Sequence, residues 1–197
     1  MTKQDLLKHI ADTGYNVGFG AKKHFATYDI TAKVPGFIGF VSTAVGVFGL
    51  VFDSLSTKSL SATFIVLGIM GICITIYDHK KEKYAEAGSK LTQIFNRLKS
   101  LYFNVKAAQE TDLLKFEQEL ESLEAEYIKI GISDQMLFSG WLAHYKFFWE
   151  HQIDWIDEQK HFKFFRDKLP LSFIASAVLA LVIALLVIIH WFCKPCP

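Results

Sequence analysis

The chain has 197 residues, of which 51% are hydrophobic and 15% aromatic, and a formal net charge of +1. That net charge carries no message by itself, but its distribution does. Charges are missing from three windows and dense between them, which excludes a uniformly water-soluble chain and describes a protein that is part membrane, part water.

Residues 1–33 come first. Leu6, Leu7 and Ile10 predict a short amphipathic helix ending near Gly14. The stretch from Gly14 to His24 fails as a phosphate-cradling loop. Ala21 separates Gly20 from Lys22, His24 stands where a hydroxyl residue is needed, and no strand precedes it. It reads as a helix whose small residues allow close packing, with Lys22, Lys23 and Lys33 near lipid headgroups. Nothing in these residues has the order of a signal peptide.

Two uncharged runs follow, Val34 to Phe52 and Ser59 to Tyr77, each of 19 residues, joined by the polar link 53–58. A helix of that length spans roughly 28 Å, close to the hydrocarbon thickness of a bilayer. Residues 34–77 therefore predict a transmembrane helical hairpin rather than two buried helices of a soluble core. Gly39, Ser42, Gly46 and Gly49 form a stripe of small residues on the first helix, and Gly68, Gly71 and Thr75 form one on the second. In lipid, close backbone approach through small residues carries much of helix association. The stripes either face each other inside one hairpin or mate with another protomer. Neither span holds an Asp, Glu, Lys or Arg, which argues against a pump or an ion-coupled transporter.

Residues 78–132 predict an antiparallel helical hairpin. Tyr84, Ala87, Leu91, Ile94, Leu98, Leu101, Val105 and Ala108 keep a heptad seam, widened by Phe95 and Tyr102. After a turn near Asp112, Leu113, Phe116, Leu120, Leu123, Tyr127 and Ile130 keep another. Residues 79–108 hold seven Lys/Arg against two Glu, and residues 112–128 hold one Lys against six acids. Such faces either pair, setting register, or are simply solvated.

Ser133-Asp134 predicts the start of an aromatic-rich interfacial helix over 133–168. Trp149, Trp155, Lys163, Arg166 and Lys168 suit a headgroup layer. Aromatics among basic residues also suit nucleic acid, but a hydrophobic run begins at the next residue, so direct nucleic-acid binding is not expected. That run, 169–193, is uncharged and reads as a third transmembrane helix, with Ser172, Ser176, Ala180 and Ala184 in a four-step stripe. Residues 194–197 form a short tail.

Flanking charge orients the whole. Lys22, Lys23, Lys33, Lys80, Lys81, Lys83, Lys90, Lys160, Lys163, Arg166 and Lys168 lie on one side, and only Lys58 and Lys194 on the other. The positive-inside bias places the N-terminus and 78–168 in the cytoplasm, with the link and the C-terminus outside. Cys193 and Cys196 then lie where a disulfide can form if the host is a bacterium, whereas Cys73 is inert packing in lipid. The scattered histidines match no zinc-ligand spacing, and no nucleophile elbow is present. No catalytic residue, cofactor or metal is expected.

Three features together carry a resemblance: the basic Gly20-Ala-Lys-Lys-His24 segment, the tight membrane hairpin, and the long helix with Tyr84, Ala87, Leu91, Ile94 and Asn96-Arg-Leu98. Over roughly residues 10–130 the chain resembles the SLATT family, the SMODS- and SLOG-associating two-transmembrane effectors of prokaryotic defence. The resemblance implies an oligomeric membrane-disrupting or pore-forming effector of the bacterial inner membrane. It implies a partner that holds the effector silent: a nucleotide-signal synthase, a SLOG-type sensor, or a reverse transcriptase with its nucleic acid. The family core needs two membrane helices, so the third, and the aromatic segment before it, are expected to lie beyond it. The alternative is a structural adaptor that recruits a cytosolic complex through 78–130.

Overall fold

Lys3–Gly49 form one uninterrupted helix, α1. Thr2 caps it, accepting a hydrogen bond from the Asp5 N–H at 3.2 Å, and the Asp5 carboxylate sits at the positive end of the helix dipole. The expected stop near Gly14 is corrected here: α1 runs straight through Gly14, Gly18 and Gly20. A helical glycine costs about 1 kcal/mol relative to alanine. At Gly14 and Gly18 that cost is offset because the missing Cβ leaves room for Trp155 and for the Phe95 and Phe147 rings. Pro35 also lies inside α1. It withholds the N–H that would bond the Thr31 carbonyl, at the point where the buried positions of α1 end.

The computed structural model describes residues 1–192 in two units, Met1–Lys160 and a second beginning at His161. In the first unit a 3₁₀ turn, Asp53–Leu55, reverses the chain into α2, Lys58–Thr75. Thr57 caps α2, accepting from the Leu60 N–H at 3.3 Å. A second 3₁₀ turn, Asp78–Lys80, leads almost without interruption into α3, Lys81–Ala107. Then come α4, Leu113–Ile128, α5, Ser139–Phe148, and α6, Asp154–Lys160.

Residues 6–31 of α1 form the central post of a helical bundle. α3 packs along that post more extensively than any other element, with α5, α6 and α4 around it. The seam of α3 explains this: Leu91, Ile94, Leu98, Leu101 and Val105 are fully buried, as are Leu6, Ile10, Ala11 and Val17 of α1. Each such aliphatic side chain contributes about 1.5–3 kcal/mol of burial. Leu113, Leu120 and Leu123 of α4 are buried with them, while Phe116 is half-buried. The acidic face of α4 serves two neighbours. Glu126 meets Arg97 of α3 at 2.6 Å. Glu117 meets the N-terminal amine at 3.1 Å, and Glu124 accepts from Thr13 at 2.6 Å.

The single interfacial helix expected from Ser133 is not formed. Residues 131–136 take no regular structure, and helix resumes only at Ser139. The Ser133–Gln135 segment is held by side chains of other elements, which satisfy backbone groups that a helix would otherwise pair with itself.

The second unit contains a short helical turn, α7, Phe164–Asp167, and α8, Leu171–Phe192. Pro170 starts α8, where its missing N–H is harmless and its carbonyl accepts from Phe173 and Ile174. Cys193 and Cys196, with the tail 194–197, lie outside the described residues.

Candidate functional site

The apolar half of α1 and all of α2 differ from the bundle in what covers them. In their most apolar windows only 6% and 11% of residues are buried, which is the opposite of a soluble core helix. Phe37, Phe40, Ile65, Ile69 and Ile72 all stand more than half exposed. Three threonine hydroxyls on these helices are satisfied from within: Thr43 donates to the Gly39 carbonyl at 2.9 Å, Thr63 to the Ser59 carbonyl at 3.0 Å, and Thr75 to the Ile72 carbonyl at 2.7 Å. In hydrocarbon, polar groups have no other partner.

The two helices touch at one end and part at the other. Near the bundle, a Cβ built on Gly71 would lie 3.9 Å from Ile38, an ordinary van der Waals contact. Toward the link, a cleft of about 250 Å³ opens between them, lined by Ser42, Gly46, Gly49, Leu60 and Phe64. Gly39, Gly46 and Gly68 have open space where a Cβ would sit, and Gly49 faces only the Leu55 backbone at 3.7 Å. The first stripe and the second are therefore not locked into each other along the pair.

Several polar groups of the bundle are tied into structure, whereas the buried Ser139 Oγ and Trp155 Nε1 have no hydrogen-bond partner among the described residues. Burial alone would raise the Asp29 carboxyl, but hydrogen bonds from Lys146 and Lys33 hold it below its ordinary value. Burial pushes the Lys22 amine down. His24 donates from Nδ1 to the Gly20 carbonyl at 2.7 Å and accepts at Nε2 from the Ile132 N–H at 3.1 Å. These partners specify a neutral imidazole, and burial lowers its pKa accordingly. The His151 imidazole is pushed down to about 4 by burial, with Lys22 and Lys99 adding to it. A cleft of about 360 Å³ beside His24 is lined by Lys23, Tyr127, Ser133 and Gln135, but both nitrogens of His24 are already engaged. Among the described residues, no three His, Cys, Asp or Glu side chains gather as a metal site.

An apolar helix pair standing on a polar bundle is the outline of a two-transmembrane effector, and the sequence match agrees with it. The family described as SMODS and SLOG-associating 2TM effector domain 6 matches residues 1–177. The chain belongs to this SLATT family. No curated protein matches it, and no solved structure does. The match is wider than the resemblance read from residues 10–130. It takes in the N-terminal helix, the aromatic segment and the beginning of α8, so α5 and α6 are part of the SLATT domain rather than an addition to it.

Within the SLATT domain the expected site residues separate into groups. Gly39, Ser42, Gly46, Gly49, Gly68, Gly71 and Thr75 lie on the apolar pair as described. Leu91, Ile94, Leu98, Leu101, Val105, Leu113, Leu120 and Leu123 lie in the bundle core. Trp155 is a correction: it is only 3% exposed, packed on Gly14 with Phe95 and Tyr102 at ring distances of 5.6 and 5.2 Å. A tryptophan there fills the core instead of meeting headgroups. Trp149 is 59% exposed. In the second unit Lys163 and Arg166 are exposed and Lys168 half-buried, with Arg166 paired to Asp167 at 3.0 Å. Ser176, Ala180 and Ala184 are exposed along α8. Gly14 and Gly18 give the close packing read from the small residues of 14–24, whereas the tethering roles of His24 and Thr27 escaped the sequence reading.

Proposed function

We propose that this SLATT protein is a bacterial inner-membrane effector of anti-phage defence that permeabilises the membrane once a sensor partner releases it. The N-terminus and 78–168 lie in the cytoplasm, 34–77 crosses as a hairpin, and 169–193 crosses a third time, leaving the C-terminus in the periplasm. In the resting state the cytosolic bundle is held in an inactive assembly by its partner, a nucleotide-signal synthase, a SLOG-type sensor or a reverse transcriptase. On release, the small-residue faces of several hairpins associate in the bilayer and form a lesion that depolarises the cell.

The observation that carries this reading is the open space at Gly39, Gly46 and Gly68 on two helices that bury little of their surface within the chain. Helices in lipid associate through such faces, and within the Met1–Lys160 unit these positions are left open. The adaptor reading recruits a complex through 78–130. Leu98 and Leu120 are 0% and 2% exposed, so an adaptor would present the outer faces of α3 and α4 rather than their seams.

Membrane potential tests the proposal. The chain is expressed alone and with its neighbouring genes, and a voltage-sensitive dye is followed through phage infection. Depolarisation on triggering is the expected result. Intact potential under every trigger, with the protein present in the membrane fraction, overturns it.

A further inference from the structure

We infer that the turn at 133–138 is an additional contact with the bilayer, in which Leu137 and Phe138 dip into the interfacial layer beside the root of the hairpin. The inference rests on the reading of the hairpin as membrane-spanning.

The turn is held with unusual thoroughness for a segment without regular structure. Tyr84 donates its hydroxyl to the Asp134 carbonyl at 2.5 Å, and Lys80 meets the Asp134 carboxylate at 3.0 Å. Thr27 donates to the Gln135 side chain at 2.7 Å and accepts from the Met136 N–H at 3.4 Å. Gln135 itself donates back to the Ile132 carbonyl at 2.6 Å. What these contacts present at the tip is apolar. Leu137 is 71% exposed and Phe138 50% exposed. Phe138 is moreover in the left-handed region, φ 66°, where a bulky side chain is strained. Its ring leans on Trp141 at 5.0 Å. A firmly tethered pair of large exposed apolar side chains, one of them on a strained backbone, is a poor arrangement in water and a good one at an apolar boundary.

The tethers also set its height. Lys80 comes five residues after the last residue of α2, and Thr27 seven residues before Val34. Seven residues are about 10 Å of helix. The turn is thus fastened to α1 and to the segment that follows α2, within about two turns of the place where each apolar helix begins or ends, which is where headgroups lie once the hairpin is inserted. The surface bound to be present at that height is the lipid, so the occupant we assign is the bilayer interface rather than a protein.

Spin-label accessibility decides the matter. In the full-length chain carrying C73A, C193S and C196S, single cysteines are placed by L137C, by F40C in the first apolar run, and by L114C. Leu114 is 68% exposed at the start of α4, near the bundle end where Lys3 reaches the Ala108 carbonyl. Each variant is labelled with a nitroxide in vesicles of phosphatidylethanolamine and phosphatidylglycerol, and relaxation by oxygen is compared with relaxation by a water-soluble nickel chelate. The expected oxygen-to-nickel ratio at position 137 is several-fold above that at 114 and below that at 40. A ratio at 137 equal to that at 114, with 40 lipid-like, overturns the inference and leaves the hairpin standing. Shielding of 137 from both reagents also overturns it, by showing a protein partner or a second copy on the turn. Water-like behaviour at 40 removes the hairpin reading and the inference with it.

Discussion

Gly14 and Gly46 lie on the same helix and have opposite surroundings. At Gly14 a Cβ would collide with the Trp155 ring, and at Gly18 it would come within 2.7 Å of Phe95. At Gly39 and Gly46 it would meet nothing within 4 Å. The first pair is small because the bundle has already filled the space. The second pair is small with the space left open. One residue type on one helix thus marks a finished contact in the bundle half of the helix and open space in the apolar half.

The sharpest way to break this contrast is to empty the finished contact. W155A is expected to lower stability by about 3–5 kcal/mol, the usual cost of a large aromatic removed from a core, seen as a fall in melting temperature of the detergent-solubilised protein. If Trp155 were a headgroup anchor, the change in detergent would be small. G18A is expected to cost about 1–3 kcal/mol through overpacking against Phe95 and Phe147, although alanine is the better helix former.

Titration sharpens the contrast further, because it touches only the bundle. His24 and His151 have folded-state pKa values below their ordinary value, so the unfolded chain takes up protons first as the pH falls. Stability is therefore greatest above about pH 6.5, and the His151 share is lost progressively between 6.5 and about 4. Melting temperature against pH should drop across that window, and H151N should flatten the drop. Weaker again is the exposed Arg97–Glu126 pair, whose removal by R97A should cost less than about 1 kcal/mol. The smallest effect on the fold is expected for G46L with G68L. Both positions have open space, so the melting temperature should hold while depolarisation is lost. A melting temperature that falls with activity would instead place these glycines in an intramolecular contact.

Much of this was legible in the residues. Apolar runs free of charge are read reliably because lipid demands them over a fixed length, and the heptad seam of α3 because its period is strict. The partner of that seam was not legible. Sequence proximity suggested α4, whereas the main surface comes from α1, far earlier in the chain, through the Leu6, Ile10 and Val17 stripe. Trp155 was misread because a tryptophan among charged residues looks the same at a headgroup layer and at the lid of a core. Only the glycine across from it, far away in the chain, separates the two. The turn at 133–138 was read as helix because Ser133-Asp134 is a good cap; its fate was decided by Tyr84, Lys80 and Thr27, which no local pattern reveals.

The unbroken course of α1 has a mechanical meaning. From Lys3 to Gly49 it is a single shaft about 70 Å long, with one end in the grip of the bundle and the other in the apolar pair. The buried positions at its lower end and Gly39, Gly46 and Gly49 at its upper end thus belong to one continuous helix. In the mechanism proposed above, a partner bound to the bundle would be joined to the glycine face by this one helix, with no need to touch lipid itself.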